Sequence, residues 1–218
     1  MTEAEWLTCE DPREMVSFLK AQGRARKLRL GYCASARLIW QQFTDIRCRQ
    51  AVEASERFAD GGCKLKELHR ARMNAEAVLD EVRRTFAYLS PQYNGAYAAQ
   101  STARKDEDLA RRFGFDYVSE SVPDGEQRAA IVRSQHALLR DIFGNPFRPV
   151  TLDPSWLTSN VLLLAGGIYE ERAFDRMPIL ADALQDAGCA NDDVLAHCRG
   201  AGPHVRGCWV VDLLLGKW

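Results

Sequence analysis

Apolar positions recur at three- and four-residue steps along most of the chain, the period of amphipathic helices. Asp11-Pro12 opens the first clear one, with Asp as N-cap and Pro in the first turn. It carries Met15, Phe18 and Leu19 on one face and stops near Gly23. A second helix is expected from Lys27 to Phe43, with Cys33, Ala36, Trp40 and Phe43 on one side. Thr44-Asp45 caps a third through Phe58, ended by Gly61-Gly62. The stripe Ala75, Val78, Leu79, Val82, Phe86 and Leu89 predicts a long helix from Lys64 to Leu89, with charges opposite.

Between Ser90 and Gly125 the period fades. Ser90-Pro91-Gln92-Tyr93-Asn94-Gly95 carries turn residues, and Arg104-Lys105-Asp106-Glu107-Asp108 is a charge run that reads as solvated. Phe113, Phe115, Tyr117 and Val118 suggest a short strand or tucked loop, with a small helix near Leu109. The expectation is a long loop or a hinge between helical halves 1–89 and 126–218 of one domain. Regular pattern resumes with Glu126–Phe143, stopped by Gly144-Asn145-Pro146, and an extended segment to Asp153. Thr158 or Ser159 then caps a helix to Ala173, Asp175 one closed by Gly188, and Asn191 one to Cys198; the last runs from Val205 to Leu215. The fold expected is all-α, a multi-helix bundle of roughly eight to ten helices. Solenoid-like helix pairs are the alternative, weakened by the lack of a fixed repeat.

The 218 residues are 46% apolar, enough for a core, and 29 Lys+Arg against 30 Asp+Glu leave a formal charge of −1. Near-neutrality argues against a general polyanion binder but leaves a local patch open. The start Met1-Thr2-Glu3-Ala4-Glu5-Trp6 lacks a secretory pattern, and apolar runs such as Val161–Ala165 are too short to span a bilayer. A cytoplasmic protein with reduced thiols is expected, seven cysteines being an odd number for disulfide pairing.

Trp6-Leu7-Thr8 before Asp11-Pro12, Arg26-Lys27-Leu28-Arg29-Leu30, the segment Leu138–Pro149 and the ending His204-Val205-Arg206-Gly207-Cys208-Trp209-Val210-Val211-Asp212 form a recognisable set. In these the chain resembles an uncharacterised protein family abundant in planctomycete bacteria. The resemblance covers both ends and most of the second half, and implies no activity, cofactor or site. The chain departs from that family at Tyr32-Cys33-Ala34-Ser35, where a more apolar, cysteine-richer stretch is usual.

The densest polar chemistry lies near the end: Cys189, His197, Cys198, His204 and Cys208. Zinc takes four N or S donors, and His204 and Cys208 have the i,i+4 spacing that shares a helix face. His197, Cys198, His204 and Cys208 are therefore the candidate metal ligands, with zinc as cofactor, although no C-x2-C knuckle exists. The bland reading makes the cysteines buried apolar groups. A Cys–His nucleophile pair oriented by Asp192, Asp193 or Asp212 is a further option. Arg140, Asn145 and Arg148 around the Phe143–Phe147 turn are a candidate binding set; alternatively this segment clamps the helix end, both phenylalanines plugging the core. Arg24, Arg26, Lys27 and Arg29 form a basic patch. Hydrolase, zincin and nucleotide-loop motifs are missing, so no enzyme class is supported and no cofactor is required. The leading expectation is a non-enzymatic interaction or scaffold module with an unknown protein partner, with Trp6, Trp156, Trp209 and Trp218 as anchors. The alternatives are a metal- or thiol-dependent enzyme or sensor at the C-terminal cluster and nucleic-acid binding at the basic patch.

Overall fold

The structure, a computed structural model, describes residues 1–88, 90–105, 115–123 and 125–217. All regular structure among them is helical, the all-α multi-helix architecture that the periodicity predicts. No helix among the described residues is long and apolar enough to cross a membrane. The chain divides into two compact units: Met1 with Glu5–His136, and Thr2–Ala4 with Ala137–Trp218. The boundary lies inside a helix and outside the 90–125 segment.

The first unit is built on α1 (Glu3–Thr8) from Glu5 onward, α2 (Pro12–Lys20), α3 (Ala25–Arg37), α4 (Ile46–Ala59), α5 (Leu65–Thr85) and α6 (Pro91–Thr102). It also holds the first part of α7 (Glu126–Phe143). Asp11 and Asp45 cap α2 and α4, accepting from Arg13 N and Arg47 N at 2.8 Å each. The core gathers Cys33, Ala36, Ile39, Cys48, Val52, Val78, Leu79, Ala98 and Ala99 from α3 to α6.

Four expectations change in this unit. The helix expected to reach Phe43 stops at Arg37 and yields to a 3-10 turn over Trp40–Gln42. The break lets Ile39 and Phe43 both enter the core, while the Arg37 guanidinium lies over the Trp40 ring at 4.3 Å. The long helix α5 ends at Thr85, and Phe86 is exposed. The expected loop contains α6: Ser90 is an N-cap accepting from Tyr93 N at 3.2 Å, and Pro91 fills the first turn. Residues 115–120 are helical where a strand or loop is expected; Tyr117 and Val118 point into the core. Leu89, the Asp106–Asp108 charges, Leu109, Phe113 and Trp218 lie outside the described residues.

The second unit comprises the end of α7 with α8 (Ser159–Glu171), α9 (Met177–Asp186), α10 (Asp192–Arg199) and α11 (Trp209–Leu215). Thr158 and Asn191 cap α8 and α10 as expected. Asp175 does not cap α9; it sits in a 3-10 turn, Phe174–Arg176, that runs directly into the helix. The last helix begins at Trp209 rather than Val205. Val161, Ala165, Ile168, Leu180, Leu184, Val194, Val210 and Leu214 interlock in one apolar cluster. That cluster also takes up Cys189, Cys198 and Cys208.

Candidate metal centre

Three short-range features of the second unit bring polar groups to one place. Asp141 lies in the last turn of α7, which ends at Gly144 with φ +64°. A Cβ on Gly144 would stand 3.0 Å from the Trp209 ring, so only glycine gives the left-handed stop and room for the indole. His197 lies in the last turn of α10. The Gly200–Gly207 connection then turns back through Gly202 and Gly207, at φ +87° and +95°, to return His204 and deliver Cys208 at the N-cap of α11.

His204 Nδ1 lies 2.8 Å from Asp141 Oδ1, and His197 Nε2 lies 3.2 Å from the same oxygen. His197 Nε2 is also 3.2 Å from Cys208 Sγ. One donor atom from each of Asp141, His197, His204 and Cys208 falls within 4.8 Å of every other. A tetrahedral zinc ion bonded at about 2.0–2.3 Å holds its donors roughly 3.3–3.7 Å apart, inside this range. The remaining polar atoms orient the set. Val205 N–H donates to Asp141 Oδ2 at 2.9 Å, and His204 Nε2 stands 3.3 Å from the Gly200 carbonyl. An imidazole giving one N–H to a carbonyl and aiming its other nitrogen at a common point is the usual arrangement around a metal ligand.

Asp141 and Cys208 are buried, and the two histidines are partly so. Burial pushes the Asp141 carboxyl up, but hydrogen bonds from His197 and His204 outweigh it and hold the group below the usual carboxylate range. Burial pulls His204 down, yet its bond to Asp141 prevails and its pKa is raised. Burial, reinforced by the Asp141 charge, drives the Cys208 thiol well above its ordinary value. Cys208 without a cation is therefore a protonated thiol and a poor nucleophile.

The same geometry argues against a relay. In a thiol–imidazole–carboxylate triad the carboxylate and the nucleophile address opposite ring nitrogens. Here a single atom, His197 Nε2, faces both Asp141 Oδ1 and Cys208 Sγ. Donors converging on one point suit a cation; proton transfer along a line needs the other arrangement.

Three of the four expected ligands, His197, His204 and Cys208, thus converge, and Cys198 does not. Neighbouring residues on a helix point about 100° apart, so with His197 turned to the site Cys198 faces the apolar cluster. There burial raises its thiol to about 12. Asp141, the fourth member, has no spacing relation to the others and was absent from the expected set. His204 and Cys208 do not share a helix face, since both precede α11; the glycine turns bring them together.

Most of the other candidate residues have internal partners. Asn145 Nδ2 donates to Glu3 Oε1 at 2.7 Å, and Arg148 Nε meets the same oxygen at 2.6 Å. These two close the turn onto Glu3, while Arg140 stays in the last turn of α7. Phe143 is buried but Phe147 is partly exposed, so only the first plugs the core. In the expected basic patch, Arg24 is exposed and Lys27 and Arg29 are buried. Arg26 pairs with Asp60 at 2.9 Å. Arg29 donates to Ser55 Oγ and to the Thr102, Arg104 and Lys105 carbonyls. Trp6 and Trp156 are buried, and Trp209 packs on the His197 ring at 5.2 Å. Their indoles serve the interior.

Comparison with protein-family models finds no match to the chain, and comparisons with curated proteins and with solved structures likewise find none.

Proposed function

We propose that the protein binds a zinc-class divalent cation through Asp141, His197, His204 and Cys208, and that the ion ties together the helix ends of the C-terminal unit. The observation carrying this reading is the approach of four donors of different residues to within 4.8 Å of one another. Two imidazoles, a carboxylate and a thiol form a borderline donor set that suits zinc. Calcium and magnesium want six or more oxygens. Four protein donors leave no position for substrate, which favours a structural ion over a catalytic one. The donors come from the end of α7, the end of α10, the glycine-rich connection and the start of α11. One ion would therefore cross-link four segments, and metal affinity would be folding free energy for this unit.

The test is elemental analysis of protein purified without an affinity tag, beside the double variant His204→Ala/Cys208→Ser. Stoichiometric zinc in the parent and its loss in the variant supports the reading. A metal-free parent that takes up none on dialysis against zinc refutes it.

A second reading, an interaction module, rests on Leu163 and Ile179 of the same unit, 76% and 55% exposed. Large apolar side chains this exposed are the kind that partners cover. Light scattering on the parent and on Leu163→Asp/Ile179→Asp tests it: self-association in the parent alone supports this reading, and identical monomers remove its support.

A further inference from the structure

The helix α8 buries one face only. Val161, Ala165, Ile168 and Tyr169 enter the apolar cluster of the C-terminal unit. At about 100° per residue, the opposite face carries Ser159, Asn160, Leu163, Gly166, Gly167 and Glu170. Leu163, 76% exposed, is the largest apolar group on it. The two glycines beside it have no reason inside the chain. Neither has a positive φ. A Cβ built on either meets nothing within 4 Å among the described residues, beyond the turns of its own helix. Glycine costs a helix more than alanine does, and what it returns here is an outer face that another backbone can approach closely.

The face matches itself. Leu163, Gly166, Gly167 and Glu170 have the i, i+3, i+4, i+7 spacing of the four residues that form a hole for a knob from a facing helix. When two copies of α8 run antiparallel about an axis near Ala165, Leu163 of each enters the hole of the other. The same register sets Asn160 opposite Glu170 and Ser159 opposite Glu171. The charges agree with it. Glu170 and Glu171 stand in the last turn, where they oppose the dipole of their own helix, and the first turn has no acidic residue. Arg206 and Arg176 lie 3.5 and 3.3 Å from them, yet the two carboxylate side chains stay 70% and 64% exposed. At the other end, the N–H groups of Ser159 and Asn160 hold no hydrogen bond among the described residues. An antiparallel neighbour brings each acidic end to a helix N-terminus, where negative charge is stabilised.

We infer that the chain pairs with a second copy of itself through antiparallel α8 helices, Leu163 of each seated over Gly166 and Gly167 of the other. This rests on the interaction-module reading and names its partner. Knob, hole and charge are each complementary to the same helix turned about a two-fold axis, the hallmark of an isologous contact. Six outward residues per chain are far fewer than the roughly 20–30 of a stable interface, so the pairing is weak and is read at high concentration.

The test is sedimentation equilibrium of the full chain up to millimolar concentration, beside Gly166→Ala/Gly167→Ala. Alanine suits a helix, so this variant should resist urea at least as well as the parent. It should nevertheless dimerise about tenfold more weakly, because the new methyl groups fill the hole. Orientation is read by a short bismaleimide in a Cys9→Ser background, Cys9 being the one cysteine that is not buried. A mixture of Ser159→Cys and Glu170→Cys chains should cross-link, and Ser159→Cys chains alone should not. A dimer unchanged by the alanine pair overturns the inference, as does linking of two Ser159→Cys copies. If Leu163→Asp/Ile179→Asp breaks such a dimer, the interaction-module reading stands without this geometry. A parent that stays monomeric throughout overturns both.

Discussion

Replacing Asp141 by Asn keeps the shape of the side chain and removes its charge, which isolates what the carboxylate does in the metal-free protein. Three donors meet it: His204 Nδ1 at 2.8 Å, His197 Nε2 at 3.2 Å and Val205 N–H at 2.9 Å. Asn offers one acceptor oxygen where the carboxylate offers two, so at least one buried donor loses its partner, at about 1–3 kcal/mol. The charge-assisted bond with His204 adds about 1.5–3 kcal/mol while that histidine is protonated. The total is about 3–5 kcal/mol, the usual cost of removing one partner from a buried ion pair.

The pH dependence follows from two shifts of opposite sign. Asp141 is held below its ordinary value of 3.8, so its contribution is present above that pH and lost as pH falls through the lower folded value. His204 is raised above 6.5, so its contribution is complete below that pH and lost as pH rises through the higher folded value. Metal-free protein is therefore best stabilised by this pair between about pH 4 and pH 6.5. Urea unfolding in excess chelator at pH 6 and pH 9 measures the effect. The Asn variant should lose about 3–5 kcal/mol at pH 6 and less at pH 9, since the imidazolium is lost as pH rises. An equal cost at both pH values, or a cost below about 1 kcal/mol at pH 6, would refute the argument.

Gly144→Ala forces a Cβ at φ +64° against the Trp209 ring at 3.0 Å, and should destabilise the C-terminal unit by about 2 kcal/mol in urea. Because Trp209 packs on His197, the same variant should weaken zinc binding in a competitive titration. Arg29→Met leaves Ser55 Oγ and three carbonyls short of a donor, and should cost about 3–5 kcal/mol; Arg29→Lys, without the planar fork, should recover only part of it. Alkylation of native protein with iodoacetamide at pH 8, followed by mass spectrometry, should mark Cys9 first. Burial raises Cys33, Cys48 and Cys198 to about 12, whereas Cys9 is only partly covered. Fast labelling of Cys198 would contradict its placement in the core.

Helix starts were the most legible feature of the chain, because a cap is a local hydrogen bond. Asp11, Asp45, Thr158 and Asn191 each accept from a backbone N–H two or three residues on. The same chemistry misled at Ser90-Pro91, which as readily opens a helix as a loop. α6 hides further because it is buried nearly all round, from Tyr93 through Ala96 and from Ala98 to Thr102, and so presents no polar face to set a period. Its Gly95, which reads as a turn residue, sits where Ile39 and Phe43 come within 4.0 Å of a would-be Cβ. The metal centre was legible only where its donors lie close in sequence. His197, His204 and Cys208 stood out as a cluster, but the helix-face argument for the last two was wrong, since the chain turns at Gly202 and Gly207 before α11 begins. Asp141 carried no such signal: an acidic residue at a helix end beside Arg140 looks like a solvated pair, and only packing brings it beneath two histidines.

The most direct test of the metal centre is titration of chelator-treated protein with cobalt(II), read by absorption. The account predicts saturation at one ion per chain, with the intense visible bands of tetrahedral cobalt and a near-ultraviolet thiolate band. Zinc should displace both, and Cys208→Ser should remove the thiolate band alone. Weak octahedral bands, or a spectrum unchanged by Cys208→Ser and by His204→Ala, would contradict it.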